Sequence, residues 1–374
     1  MGTGTSRMMV RVTAVAAVLS ALSTAAGFAQ DAPEWAAVHG FGGDAYGKTG
    51  DNRYLVGSPT GEYQNAQLAL AVLASPSEKL QISSQVSWKQ TSDGVETDLD
   101  YAFAEWKFSD AVRLRAGRAK QPFGIYTEIF DVGTLRPFYS LPQGVYGPAA
   151  LVAKGYDGLG ITGRANLSDR WALRYDLYGG GVRLASTELA PGLDEGEGAT
   201  ESVEIIRDAV GGRVIVETPV RGLHLGLSAY SGKEEREEQV RHNVYGVQGE
   251  YLGGGWSARS EYVWHPEKDG PHLRAFYLEV ARTFHGHWQP AARFDWSDTT
   301  FSSGEPLPAN SLGQHRDIGV GFNYIFAPAF VLKTSFHDVN GNRFARPDDL
   351  EAVLDAGALQ TRTHLVVVGA QFSF

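Results

Sequence analysis

Sixteen stretches of this chain alternate at every second residue, and the connections between them are sorted by length, alternately long and short from one end to the other. The stretches lie near 35–46, 65–74, 80–90, 98–108, 111–118, 156–167, 171–178, 209–218, 223–230, 244–252, 256–264, 273–284, 288–296, 317–326, 330–338 and 363–374. A period of two belongs to a β-strand, whose successive side chains point to opposite faces. The short connections are "SPSEK" (75–79), "SDA" (109–111), "SDR" (168–170), "PVRG" (219–222), "GGG" (253–255), "HGH" (285–287) and "APA" (327–329); the eight others read as longer loops. A soluble sandwich has no reason to sort its loops by parity. A barrel threaded through a membrane does, with tight turns at one rim and long loops at the other, and an even strand number closes the sheet without a free edge. The expected fold class is therefore all-β, a transmembrane antiparallel barrel of sixteen strands.

The faces fit this reading. In "WALRYDLYG", Trp171, Leu173, Tyr175 and Leu177 alternate with Ala172, Arg174, Asp176 and Tyr178. One row suits lipid and the other suits water, although a half-buried strand of a soluble sheet alternates too. Tryptophan separates the two cases. All eight lie near segment ends: Trp35, Trp106, Trp171, Trp256 and Trp288 at the periplasmic end, Trp88, Trp264 and Trp296 at the loop end. Trp256/Trp264 and Trp288/Trp296 are each eight residues apart, hence on one face. At ~3.4 Å per residue and ~45° tilt that is roughly 19 Å along the barrel axis, close to the ~25 Å apolar band between aromatic girdles.

Composition narrows the context. Arg7 and Arg11 precede an apolar run from Val12 to Leu22 and the small residues before Gly27-Phe28-Ala29, the pattern of an export signal cleaved after Ala29. Removing residues 1–29 takes away two arginines and no acid, leaving a single barrel domain, 30–374, with 31 basic against 43 acidic residues. A net of −12 argues against a nucleic-acid partner. There is no cysteine, which excludes disulfides, thiolate metal sites and cysteine nucleophiles. Forty-five glycines make long helices improbable.

The chain stops on "HLVVVGAQFSF", in mid-pattern, with Val366, Val368, Ala370 and Phe372 on one face. A last strand that closes the barrel on the first cannot fray, and its outward row ends on an aromatic at the periplasmic interface. These alternating apolar residues and the final Phe374 resemble the carboxy-terminal assembly signature of bacterial outer-membrane proteins. The resemblance implies an outer-membrane location and a recognition role for Phe374, with outer-membrane lipid and lipopolysaccharide as surroundings.

One connection departs from the rest. Residues 117–155, "GRAKQPFGIYTEIFDVGTLRPFYSLPQGVYGPAALVAKG", are long, aromatic and carry four prolines. Such a loop has surface to bury, and following segment five, as the third long loop, its place resembles that of the loop that general porins fold back into the pore, which implies that it folds inward. "GRAKQPFGIY" and "LRPFYSLPQGVYG" resemble a segment of porins of the phosphate-selective porin O and P type. That resemblance implies a trimeric, water-filled diffusion channel for small hydrophilic solutes or ions, without cofactor or catalysis. Phosphate selectivity itself is not carried over, because the loop offers only Arg118, Lys120, Arg136 and Lys154, interrupted by Glu128 and Asp131, rather than a dense basic ladder. The register points Arg113, Arg115, Arg164, Arg174 and Arg213 inward. Facing Glu128 and Asp131 across a narrowed lumen they would bias permeation; paired with Asp176, Glu105 and Glu217 they would only solvate it. Both readings stand at this level.

Other motifs carry less. "GLGITG" (158–163) has dinucleotide spacing but sits inside an alternating strand, where that site needs a strand before it and a helix after it. His285 and His287 lie in a tight turn. "DVNGN" (338–342) begins like a calcium loop, but Arg343 holds the place of the invariant glycine, so no metal is expected. "KEEREE" (233–238) reads as a solvated outer loop, whose acids would suit divalent cations bridging lipopolysaccharide. The alternatives to a porin are a substrate-specific barrel transporter and, more remotely, an outer-membrane hydrolase. The first segment begins about six residues after the cleavage point, too soon for an amino-terminal plug, and nothing in the sequence places a nucleophile beside a base.

Overall fold

The computed structural model describes residues 35–374 apart from 64, 92–93, 148–150, 188–200, 235–240, 267–271, 301–312 and 346–358. The expected export signal and most of "KEEREE" lie outside the described residues. Sixteen strands follow one another: β1 Ala36–Thr49, β2 Gln67–Ala74, β3 Leu80–Thr91, β4 Gly94–Lys107, β5 Arg113–Lys120, β6 Gly155–Asn166, β7 Ala172–Thr187 and β8 Glu201–Glu217. The second half holds β9 Leu223–Glu234, β10 Arg241–Gly253, β11 Trp256–His265, β12 His272–Arg282, β13 Trp288–Thr300, β14 Gln314–Ala327, β15 Phe330–Asn340 and β16 Arg362–Ser373. Each pairs antiparallel with its sequence neighbours, and β16 pairs with β1 to close the barrel. All sixteen expected segments are strands.

The barrel is apolar outside and charged inside. Leu159, Ile161, Leu225, Leu227, Val320, Phe322, Val366 and Val368 stand exposed on the outer wall, while Glu105, Asp176, Arg213, Glu261, Glu279, Arg293, Asp295, Asp317 and Lys333 are buried within. An apolar outer surface of this extent is stable only against lipid. The girdle residues stack on one another: Trp264 lies 5.5 Å from both Tyr245 and Tyr262, and Trp288 lies 4.6 Å from Tyr324. Arg282 sits 4.9 Å over Trp256, placing a cation at the rim where headgroups begin.

Two connections differ from expectation: β7 runs to Thr187 and β8 starts at Glu201, well beyond the expected 178 and 209, and the β3–β4 connection is short. Between β3 and β4 only residues 92–93 remain, with Thr91 opposite Gly94 in a tight hairpin, so one outer connection is short. Gly94 takes φ +144°, open to a residue without Cβ. The polar run "QTSDGVETD" reads as loop in sequence because an inward strand face that meets water, here Lys89 opposite Glu96, looks like solvent-exposed chain.

Candidate functional site

Strand β5 has only eight residues and leaves the wall at Lys120. From there to Gly155 the chain bonds mainly to inward side chains of β7 to β15. Gly124 N–H donates to Ser228 Oγ (3.1 Å), Ile125 N–H to Glu261 (3.2 Å) and Gln143 N–H to Asp295 (2.5 Å). Arg293 donates to the Ser140 carbonyl (2.8 Å) and Asn323 to that of Pro137 (2.7 Å). The segment thus spends its backbone groups on the wall instead of on a ladder of its own. Its apolar side chains, Phe123, Tyr126, Leu141, Val145 and Leu151, form one core with Val182, Ile206, Val244 and Val263 of the wall.

Inward glycines make the seats for this segment. A Cβ at Gly319 or Gly321 would stand 3.3 or 3.2 Å from the Phe138 ring, one at Gly369 2.8 Å from Tyr139, and one at Gly246 2.9 Å from Phe123. Lys333 then fastens the segment. Its buried ammonium donates to the carbonyls of Gly133 (2.6 Å), Arg136 (2.5 Å) and Phe138 (3.3 Å) and to Gln371 Oε1 (2.6 Å). A buried cation is tolerable only when oxygen atoms replace its water, and here three of them are the backbone of one turn. Burial, reinforced by the Glu279 and Glu261 carboxylates, pushes the Tyr126 and Tyr146 hydroxyls well above their ordinary value. Both therefore stay protonated and donate, Tyr126 to Glu279 and Tyr146 to Glu261.

The opposite wall is left open. The side chains of Arg113, Arg164 and Arg174, facing inward from β5, β6 and β7, are 38%, 49% and 40% exposed, in contrast to the covered charges of β11–β15. Water therefore reaches the inner wall of β5–β7 near the periplasmic turns, whereas Arg213 of β8, under the segment, is buried. On that open wall, arginines outnumber their partners. Arg113 (3.4 Å) and Arg115 (2.6 Å) share Glu105, and Arg164 (2.8 Å) and Arg174 (3.2 Å) share Glu217. Each trio carries one surplus positive charge; Asp110, 3.9 Å from Arg113, is itself taken by Lys107 at 2.7 Å.

The remaining expected residues separate. Glu128 lies 3.0 Å from Arg213, which also holds Asp176 (3.0 Å) and donates to the Gly124 carbonyl (2.9 Å). Asp131 is taken by Lys120 (2.7 Å) and Gln85 (2.7 Å). Burial acts to raise the Asp131 carboxyl, but Lys120 and Lys154 more than offset it and hold it below the usual range. Asp131 thus neutralises Lys120 on the segment's own flank, while Glu128 meets Arg213, one of the inward arginines expected to face it from the wall; neither acid faces the arginine trios. Lys154 sits 5.6 Å over Phe130. Arg136 is buried, with its carbonyl on Lys333. Arg118 shares the outward row of Leu114 and Ala116 and pairs with Asp157 (2.8 Å).

Sequence reading missed one constellation. Asp317 lies 2.8 Å from His337 Nδ1, and His337 Nε2 lies 2.9 Å from Ser335 Oγ. Phe138 meets the imidazole edge-on at 5.7 Å, and the neighbouring backbone N–H groups belong to the β14–β15–β16 ladder. A nucleophilic serine needs donors aimed at a developing oxyanion; here those donors are spent, and the three residues support Phe138.

With this geometry in hand the chain was compared with known proteins. A family model described as phosphate-selective porin O and P matches residues 79–374. No curated protein matches. Among solved structures, OmpF of Salmonella typhi in complex with daunomycin is similar at TM-score 0.58 and 13% identity, over 91% of this chain and 97% of that one. The anion-selective porin from Comamonas acidovorans is similar at 0.56 and 9%, over 91% and 99%. The trimer form of OmpT of Vibrio cholerae is similar at 0.55 and 9%, over 91% and 99%. At such identities the likeness is one of fold.

Proposed function

We propose, since this chain belongs to the phosphate-selective porin O and P family, that its outer-membrane channel favours small anions and works as a homotrimer without catalysing a reaction. That it is an outer-membrane porin passing small hydrophilic solutes follows from family and barrel together. The observation supporting the sign is the pair of arginine trios on the open wall, each with two guanidiniums on one carboxylate. Charges in a narrow aqueous path between low-dielectric walls act on every passing ion, whereas acids in outer loops are screened within ~8 Å at physiological salt.

Purified protein in a planar bilayer tests the reading. Stepwise conductance is expected, with a reversal potential in a potassium chloride gradient that has the sign of chloride preference. Insertion without conductance would remove the channel, and potassium preference would remove the sign. Chemical cross-linking in native membranes is expected to give a three-subunit band; a sole monomer would remove the trimer.

A further inference from the structure

Three aromatic rings with cations seated on them run along the open side of the lumen, beyond what a charge filter needs. Tyr101 and Phe103 of β4 have centroids 5.8 Å apart. Arg115 lies 5.3 Å over Phe103; Lys120 lies 5.8 Å over Tyr101 and 6.0 Å over Phe130; Lys154 lies 5.6 Å over Phe130. All three rings keep part of their surface in contact with water. Further along the inward segment Ile129 and Val132 are half-buried and Leu135 is 52% exposed, with its carbonyl bonded by Arg259 of β11 at 3.3 Å. Apolar surface left in a water path stabilises neither the loop nor the barrel. Its value lies with whatever displaces that water.

We infer that this strip favours passage of small anions with a flat apolar body, aromatic carboxylates, over compact hydrated anions of the same charge. The inference rests on the anion reading above. A carboxylate exchanges its water for N–H groups of Arg115 and Lys154. Arg115 offers only the N–H groups other than the Nε–H that Glu105 holds at 2.6 Å, and Lys120 is likewise held by Asp131 at 2.7 Å, so Lys154 contributes most. The body of the same solute then lies against ring edges and the Leu135 side, where it removes apolar surface from water and gains edge-to-face contact. A compact anion such as phosphate gains only the first of these. The preference is thus set by apolar surface beside the charge.

Benzoate and acetate are the probes. In free water benzoate, the larger ion, diffuses more slowly, so a plain aqueous pore gives a benzoate-to-acetate permeability ratio below one. Reversal potentials in bilayers with sodium benzoate facing sodium acetate are expected to give a ratio above one, and millimolar benzoate is expected to lower chloride current reversibly where acetate does not. Leu135→Ser, on the exposed edge of the segment, is expected to lower the ratio, and Tyr101→Ser with Phe103→Ser to bring it below one. A wild-type ratio below one overturns the inference, as does a ratio above one that none of these substitutions changes. If potassium is preferred over chloride, the anion reading itself has failed; chloride preference without a benzoate advantage removes this inference alone.

Discussion

Deletion of Phe374 is expected to lower the amount of folded, heat-modifiable protein in outer membranes several-fold, while barrels that do assemble keep their conductance. Phe374 is the last rung between β16 and β1: its N–H donates to the Gly40 carbonyl and its carbonyl accepts from Gly40 N–H, both at 2.9 Å. Its ring lies on Gly40, where a Cβ would stand 2.1 Å from it, and the Phe372 ring lies likewise on Gly42 at 2.7 Å. Two backbone bonds contribute about 1 kcal/mol each, modest for a finished barrel. During assembly the same contacts decide whether the final edge closes. Gly40→Val, which occupies the seat and leaves the terminus intact, is expected to reproduce part of the loss, and Phe374→Tyr to restore most of it. Equal folded levels for the deletion and the native chain would count against a role in closure.

The second large effect is on ion preference. Arg113→Glu with Arg115→Glu turns the trio around Glu105 into three carboxylates on the open wall. One charge about 6 Å from a passing ion in water acts with roughly 0.7 kcal/mol, and reversing two of them acts with opposite sign on anion and cation, so even after screening by salt the anion-to-cation permeability ratio is expected to move toward cations by at least about tenfold. The reversal potential in a salt gradient reads this directly, and raising the salt is expected to shrink it. Arg113→Gln with Arg115→Gln, which adds no repulsion beside the half-hidden Glu105, is expected to give a smaller shift in the same direction. A quadruple change that includes Arg164 and Arg174 is expected to add to it. If the double glutamate variant conducts with an unchanged reversal potential, the channel stands and the trios do not set its preference.

Strand number, closure, the periplasmic turns and the lipid-facing row were legible in the sequence, because each depends on a local period of two that a membrane imposes along the whole chain. The same period set Arg113, Arg115, Arg164, Arg174 and Arg213 on the inner face before any contact was known. It also misled: β4 starts at Gly94, β7 runs to Thr187 and β8 starts at Glu201, each beyond its expected bound, because polarity inside a water-filled barrel resembles polarity outside it. Tertiary structure alone decided which inward charges meet. Glu128 meets Arg213, one of the inward arginines expected to face it, whereas Asp131 meets Lys120 on the segment's own flank. It decided that Gly319 and Gly321 exist for Phe138, and that Lys333 holds a turn some two hundred residues earlier in the chain. The reason is physical: which way a strand residue points is fixed by its immediate neighbours, whereas its partner inside the barrel is chosen by packing between segments that come together only once the sheet has closed.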